Sequence, residues 1–420
     1  MITILSRLLA GLSLFLAALT LIKPRSGWGR LALFIPKLFA GSLILPVGVV
    51  GLAAAALGWL AGRDLLALAL GAGAGLITLR TIVRIANRAG RAASDLPLDG
   101  ALPTRAARNA MLAHPWVGYW AAPARAVFAR DQSLGQRSDG SVLLADLWQP
   151  LEVPPTGLVL VYLHGSGWHY ADKDFGTRQF FGHLSAQGHT VLDLAYALAP
   201  HADLHSMLDD IWRALHWLQD KGKDSEIRAG RVVLGGGSAG GQLALLAAFL
   251  AAEADRVPVG SERPLPVDGV ISWYGPPDLR AQYERFVELP GLTGRSRFER
   301  WFMERLEARF GFDVIPVHSL LPSLLGGTPD DVPERYAWGS PMEHVKPGCP
   351  PTLLLQGEHD FSGAAPEVRR LHEALLGAGC RSVLFELPES EHGFDLYRPH
   401  WSPAAQAAAY VVDRFLASLF

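Results

Sequence analysis

Apolar residues are spread unevenly along the chain, and their spacing changes character along its length. Residues 2–22 form an apolar run interrupted by Arg7 and a few small polar residues. Residues 38–62 carry no charge, and a third run, 65–79, ends at Arg80. A helix needs roughly 20 apolar residues to cross a bilayer core. The first two runs reach that length. The third does so only if it continues past Arg80 with arginine side chains reaching to the headgroups. Membrane helices are therefore expected at about 2–22, 38–62 and 65–82, and residues 1–91 read as a membrane anchor. A cleaved leader is the poorer account of the first run, because no clear small-x-small site precedes Lys23-Pro24-Arg25 and further apolar runs follow.

The charges between the runs set an orientation. Lys23, Arg25, Arg30 and Lys37 follow the first run, Arg63 beside Asp64 follows the second, and Arg80, Arg84, Arg88 and Arg91 follow the third. Basic loops stay cytoplasmic. Three spans place both rich clusters on one side, whereas two spans would separate them. The expectation is an integral protein of a bacterial cell membrane, with Met1 outside and the rest of the chain facing the cytoplasm. Arg80, Arg84 and Arg88 repeat at helical spacing, which suits anionic headgroups or an ordinary stop-transfer cluster equally. Gly58 and Gly62, and Gly71 and Gly75, are spaced for close helix packing.

Residues 92–125, with Pro97, Pro103, Pro115 and Pro123, read as a connector. Its His114–Trp120 stretch is aromatic, as at a membrane interface or a packed domain surface. From about 126 the period shortens. Runs at 127–130 and 142–148 flank Ser138-Asp139-Gly140 and predict a hairpin. Strands follow at 158–163, 190–194, 232–234, 269–274, 353–355 and 383–387, with helical stretches at 176–187, 203–220, 239–253 and 365–378. That alternation predicts a mostly parallel sheet flanked by helices, an α/β domain over 126–420. Between Tyr274 and Thr352 the alternation stops, and the aromatic-rich segment at about 276–340 reads as a helical cap insertion.

The 420 residues carry a net charge of only −2, so no basic surface points to nucleic acid. Half the residues are hydrophobic, which agrees with a membrane segment plus one large domain. Cys349 and Cys380 cannot build a disulfide framework and read as free thiols. No Cys/His spacing suggests a metal site, and no cofactor motif is present. Oligomeric state is not legible.

Four loops carry the candidate chemistry. Gly236-Gly237-Ser238-Ala239-Gly240 lies between the strand 231–234 and an apolar helix. Small residues there allow a sharp turn that lifts a serine hydroxyl above the sheet edge, over a helix N-terminus that favours negative charge. His164-Gly165-Ser166-Gly167-Trp168 follows the strand 158–163 directly, so backbone N–H groups of Ser166 and Gly167, with that of Ala239, can serve as oxyanion donors. His164 and Gly165 are expected to shape that loop. Gln356-Gly357-Glu358-His359-Asp360 follows the strand 353–355, and Glu391-His392-Gly393-Phe394 follows the strand 383–387. All four lie past carboxyl ends of strands, where open α/β sheets place their sites. A catalytic Ser238, Asp360, His392 triad is predicted, with Glu358 and Asp395 as competing acids.

The segment 126–420 resembles the hormone-sensitive-lipase-like group of α/β-hydrolases. The resemblance rests on the 164–168 loop, Tyr196-Ala197-Leu198-Ala199-Pro200, Leu208-Asp209-Asp210, the turn at 236–241 and His392-Gly393-Phe394. In that group the second and third glycines of H-G-G-G donate to the oxyanion; here these are Ser166 and Gly167. Gly237 replaces the usual Asp, and Gly357-Glu358-His359-Asp360 replaces D-P-L-x-D, closer to feruloyl-esterase-like and peptidase-like relatives. The resemblance implies an α/β-hydrolase fold and hydrolysis of a small-molecule or lipid carboxylic ester through an acyl-enzyme, with no cofactor or metal. The bilayer as a partner suggests lipophilic esters. The same triad serves amidases, peptidases and acyltransferases, and a non-catalytic membrane scaffold is the alternative of a different class.

Overall fold

The computed structural model describes residues 1–96, 126–223, 227, 229–252, 266–289 and 315–420. The chain opens with four helices: α1 (Ile2–Leu21), α2 (Gly27–Ser42), α3 (Ile44–Gly62) and α4 (Leu65–Ser94). α1, α3 and α4, of 20, 19 and 30 residues, are long and apolar enough to cross a membrane. The uncharged run expected as one helix over 38–62 is divided at Leu43, and its first residues belong to α2. α2 starts where Ser26 accepts a hydrogen bond from the Gly29 amide, a cap that the charge-rich reading of 23–37 as a loop overlooked. α4 starts where Asp64 accepts from the amides of Leu66 and Ala67. Asp64 also receives Arg7 from α1 at 2.7 Å.

α1, α3 and α4 pack together through small residues. A Cβ on Gly71 would lie 2.1 Å from the Gly51 carbonyl oxygen, so this crossing admits no side chain. Gly58 and Gly75 also face neighbouring helices, whereas Gly62 faces open space.

α4 does not stop near residue 82. Past Arg80 its apolar residues recur as Ile85, Ala89 and Ala92, one helical stripe. That stripe, with Leu96, is buried against Phe385, Val411, Val412 and Phe415. The helix thus runs unbroken from the membrane-length segment into the core of the following domain, and residues 92–94 are helix rather than connector. The expected connector beyond residue 96, including His114–Trp120, lies outside the described residues.

That domain holds one eight-stranded sheet: β1 (Ala126–Gln136), β2 (Val142–Pro150), β3 (Leu158–Leu163), β4 (Thr190–Ala195), β5 (Arg231–Gly237), β6 (Gly269–Trp273), β7 (Thr352–Gly357) and β8 (Ser382–Leu387), in the order β1-β2-β4-β3-β5-β6-β7-β8. β1 and β2 form the expected hairpin, with Asp139 accepting from the Ser141 amide in its turn. β2 also runs antiparallel to β4, and β3 to β8 are mutually parallel. β3, β6 and β7 are buried along their whole lengths, as strands covered on both faces must be. One face is covered by helices Leu204–Lys223 and Ala239–Ala251, the other by Arg178–Ala186, Pro403–Ala417 and the end of α4.

Between β6 and β7 lie helices Leu279–Glu288, Leu320–Leu325 and Pro333–Gly339, within the segment expected as a cap. Residues 290–314, with Trp301, Phe302, Phe310 and Phe312, lie outside the described residues. Cys349 and Cys380 are free and buried.

Candidate active site

β5 ends at Gly237 and the helix Ala239–Ala251 begins at Ala239, so Ser238 alone makes the turn. Its φ of 54° and ψ of −119° are rare for a residue with a side chain. The turn fits only because its flanks are bare: a Cβ on Gly240 would lie 2.0 Å from the Leu163 carbonyl oxygen. The conformation is held by the Ser238 amide donating to the Trp273 carbonyl at 2.8 Å.

Loops after β7 and β8 bring two more groups to this serine. His392 Nε2 lies 3.0 Å from Ser238 Oγ, and His392 Nδ1 lies 2.8 Å from Asp360 Oδ2. With the ring proton on Nδ1, Asp360 accepts it and Nε2 is left to accept from the serine hydroxyl. Asp360 also accepts from Gln356 Nε2 at 3.0 Å and from the Ser362 amide at 2.8 Å. Burial pushes its carboxyl up, but the His392 charge and the bonds from His392 and Ser362 outweigh that and hold it below its ordinary value. The imidazole is packed between Tyr274, with centroids 4.3 Å apart, and Phe361, at 5.5 Å.

The competing carboxylates are occupied elsewhere. Glu358 accepts from the Glu389 amide and pairs with Arg84 at 3.7 Å. Asp395 accepts from the Tyr274 hydroxyl at 2.6 Å, and burial lifts it to about 6.

The loop after β3 lies against the turn: a Cβ on Gly165 would sit 2.9 Å from the Gly237 carbonyl oxygen and 3.3 Å from the Ser238 Cβ. Ser166 and Gly167 both adopt positive φ, 92° and 62°. Gly165, Ser166 and Gly167 line the same cavity as Ser238 and His392, and Ala239 occupies the first helical position beside Ser238. His164 is fixed by its Nδ1 at 2.9 Å from the Gly165 oxygen and by stacking on Tyr196. Burial holds its pKa below the ordinary histidine value.

These groups form the floor of a cavity of about 360 Å³. Phe175, Phe286, Val317, Leu320, Phe361 and Leu396 make its walls apolar. Sequence reasoning missed two further lining residues, Phe34 and Leu38, because both belong to α2. It also missed what the N-terminal cations do. Arg80 and Arg84 both reach Glu389, which accepts from Thr81 at 2.7 Å as well. Two of the arginines read as headgroup contacts therefore pair with the loop that carries His392. Lys37 is sealed from solvent, 2.5 Å from Glu391 and 3.1 Å from His359 Nδ1. Burial pulls Lys37 down and pushes Glu391 up to about 7, each opposed by the other's charge. The signal available was a lysine one residue before an apolar pair inside a capped segment, legible only once α2 is recognised as a helix.

The strand order, with its antiparallel leading hairpin and the serine at the end of the central β5, is that of the α/β-hydrolases. Solved structures agree on this fold. Inhibited esterase B from Lactobacillus rhamnosis superposes with a TM-score of 0.54 at 20% identity, covering 72% of this chain and 91% of that one. Carboxyl esterase 2 from Tuber melanosporum gives 0.52 at 21%, covering 70% and 86%. More narrowly, the chain belongs to the BD-FAE family, whose model matches residues 145–375, more than half of its length. Among curated proteins it is similar to esterase LipC of Mycobacterium tuberculosis, 27% identical over 66% of this chain and 63% of that one. It is also similar to carboxylesterase NlhH of the same organism, 25% identical over 62% and 72%. The match to LipC thus spans less than two thirds of that relative's length.

Proposed function

We propose that the chain is a membrane-anchored serine carboxylesterase that cleaves lipophilic carboxylic esters through Ser238, His392 and Asp360. The observation that carries this reading is the continuous hydrogen-bonded series Ser238–His392–Asp360, of which Ser238 and His392 line an apolar cavity. In the reaction, His392 Nε2 takes the hydroxyl proton as Ser238 Oγ bonds to the ester carbonyl carbon. The carbonyl oxygen becomes an oxyanion facing the backbone N–H groups of Ser166, Gly167 and Ala239. Asp360 holds the Nδ1–H tautomer and stabilises the imidazolium. His392 then gives its proton to the leaving alcohol oxygen as the C–O bond breaks. Water, deprotonated by His392, attacks the acyl-enzyme carbonyl carbon, and His392 returns that proton to Ser238 Oγ as the acyl C–Oγ bond breaks and the acid leaves.

Three further observations support the reading. The similar proteins LipC and NlhH are named esterase and carboxylesterase. The cavity walls suit an apolar chain rather than a charged peptide terminus. α1, α3 and α4 have the length and composition of bilayer spans, and in the proposed orientation the sides carrying the basic clusters at 23–37 and 80–91, with the catalytic domain, face the cytoplasm.

A fluorophosphonate probe tests the nucleophile, and a panel of carboxylic esters and matched amides tests the bond. Labelling at Ser238 with turnover of esters is expected. Turnover of amides alone, or no labelling of folded protein, would retire the proposal.

A further inference from the structure

The N-terminal helices do more than precede the catalytic domain. α2 touches the loops that frame the cavity. Arg30 pairs with Glu288, at the end of helix Leu279–Glu288, at 2.9 Å. Phe34 packs against Phe361, the residue after Asp360, in a tilted ring contact with centroids 4.4 Å apart. Lys37 pairs with Glu391, the residue before His392. Phe39 packs on Tyr397 with centroids 4.1 Å apart. Phe34 and Leu38 complete the cavity lining.

The other face of α2 has a different character. Trp28, Ala32, Ile35 and Pro36 are exposed and recur at helical spacing as one apolar stripe, with Phe39 at its border against Tyr397. Both cations of α2, Arg30 and Lys37, pair with the domain rather than lying on the stripe. An uncharged stripe beside three helices of membrane length fits the apolar side of a bilayer surface better than water. α2 therefore separates lipid on one side from the reacting groups on the other.

We propose that α2 is a lipid-facing wall of the substrate site: Phe34 and Leu38 bound the apolar chain of a bilayer-dissolved ester, and Lys37 seats that wall on the loop carrying His392. This rests on the esterase reading above and adds to it the part of the chain that selects the substrate. Phe34 and Leu38 are specificity residues, and Lys37 is a positioning residue that acts through Glu391.

The test uses the full-length protein in lipid nanodiscs and p-nitrophenyl esters from acetate to laurate. In a Phe34→Ala/Leu38→Ala variant the ratio of kcat/KM for long over short esters is expected to fall roughly 10-fold or more, since one methylene contact in an apolar pocket is worth about 10-fold or more in discrimination. Phe34→Trp, which narrows the cavity, is expected to shift the optimum to shorter acyl chains. Lys37→Met is expected to lower kcat across all chain lengths with little change in their ranking. Circular dichroism and size-exclusion chromatography of each variant report whether it is folded, and fluorophosphonate labelling reports whether Ser238 is reactive. If the wild type neither labels nor hydrolyses esters, the esterase reading fails. If the wild type does both and the chain-length ranking is the same in the alanine and tryptophan variants, α2 is not a substrate wall and the inference is overturned.

Discussion

Lys37 Nζ lies 2.5 Å from Glu391 Oε1, and both side chains are sealed from solvent although more than three hundred residues separate them in the chain. Removing one partner of such a pair leaves a buried group uncompensated, at a cost of about 3–5 kcal/mol, whereas replacing both by apolar residues of similar volume is often close to neutral. Lys37→Ala is therefore expected to lower the unfolding free energy by that order. Lys37→Met/Glu391→Leu should recover most of it. Chemical denaturation in detergent measures the difference, and an additive double variant would mean that the two groups are not coupled.

Ser238→Ala is expected to cost roughly 10⁴- to 10⁶-fold in ester turnover. The fold should survive, because the amide of residue 238 still donates to Trp273. Near-normal hydrolysis by the folded variant would remove Ser238 as nucleophile.

Asp360→Asn should reduce turnover on the order of 10⁴-fold, because the amide favours the wrong imidazole tautomer. Glu358→Gln should cost far less, since Glu358 faces Arg84 and the Glu389 amide rather than His392. Steady-state kinetics on the two variants decides between them; a reversed order would make Glu358 the orienting acid.

Burial, helped by the Lys37 charge, lowers His359 from 6.5 to about 4. On acidification the unfolded chain takes up this proton before the folded one. His359 therefore contributes stability that is fully present above about pH 6.5 and is lost as the pH falls towards 4. His359→Gln keeps an acceptor for Lys37 and removes the titration. The drop in Tm between pH 7 and pH 4.5 should be smaller in this variant than in the wild type. His164, His169, His189 and His372 are lowered by burial too, in both proteins, so the difference between the two reads His359.

Topology is open to direct measurement. An alkaline phosphatase fused after residue 125 should stay inactive, and a fluorescent protein fused there should glow, if the basic clusters remain cytoplasmic. The opposite pattern would place the catalytic domain outside.

Much of this molecule is legible from period and turn chemistry. The strands are short apolar runs, so β3, β4, β6 and β8 emerge within a residue of their bounds, whereas β5 and β7 continue into Gly235-Gly236-Gly237 and Gln356-Gly357, which the apolar pattern does not count. The loops with Ser238, Asp360 and His392 follow from their places after β5, β7 and β8. The N-terminal segment is less legible for a physical reason. In an uncharged run no charge marks a helix break, and the division at Leu43 shows only in Gly41-Ser42 and in Pro46, which falls in the first turn of α3. Lysine in sequence reads as a solvated or cytoplasmic charge, and only its tertiary partner Glu391 turns Lys37 into a core residue. Likewise, Arg80 and Arg84 look like headgroup contacts until Glu389 arrives from the far end of the chain. No site motif lies before β3, yet Ile85 and Ala89 of α4 are buried against β8 and the last helix, so the reading of 1–91 as an anchor alone understates its place in the domain core.

The unbroken α4 also determines how the enzyme would meet its substrate. From Leu79 to Ser94 the helix rises about 22 Å at 1.5 Å per residue, and its end is fixed in the domain core. It is a strut rather than a tether, so in the membrane-anchored enzyme proposed above Ser238 would stand at one height and one tilt over the bilayer. Substrate encounter then becomes a search in two dimensions. The velocity of such an enzyme follows the mole fraction of ester in the lipid, and diluting the ester with inert lipid at constant bulk concentration would slow it.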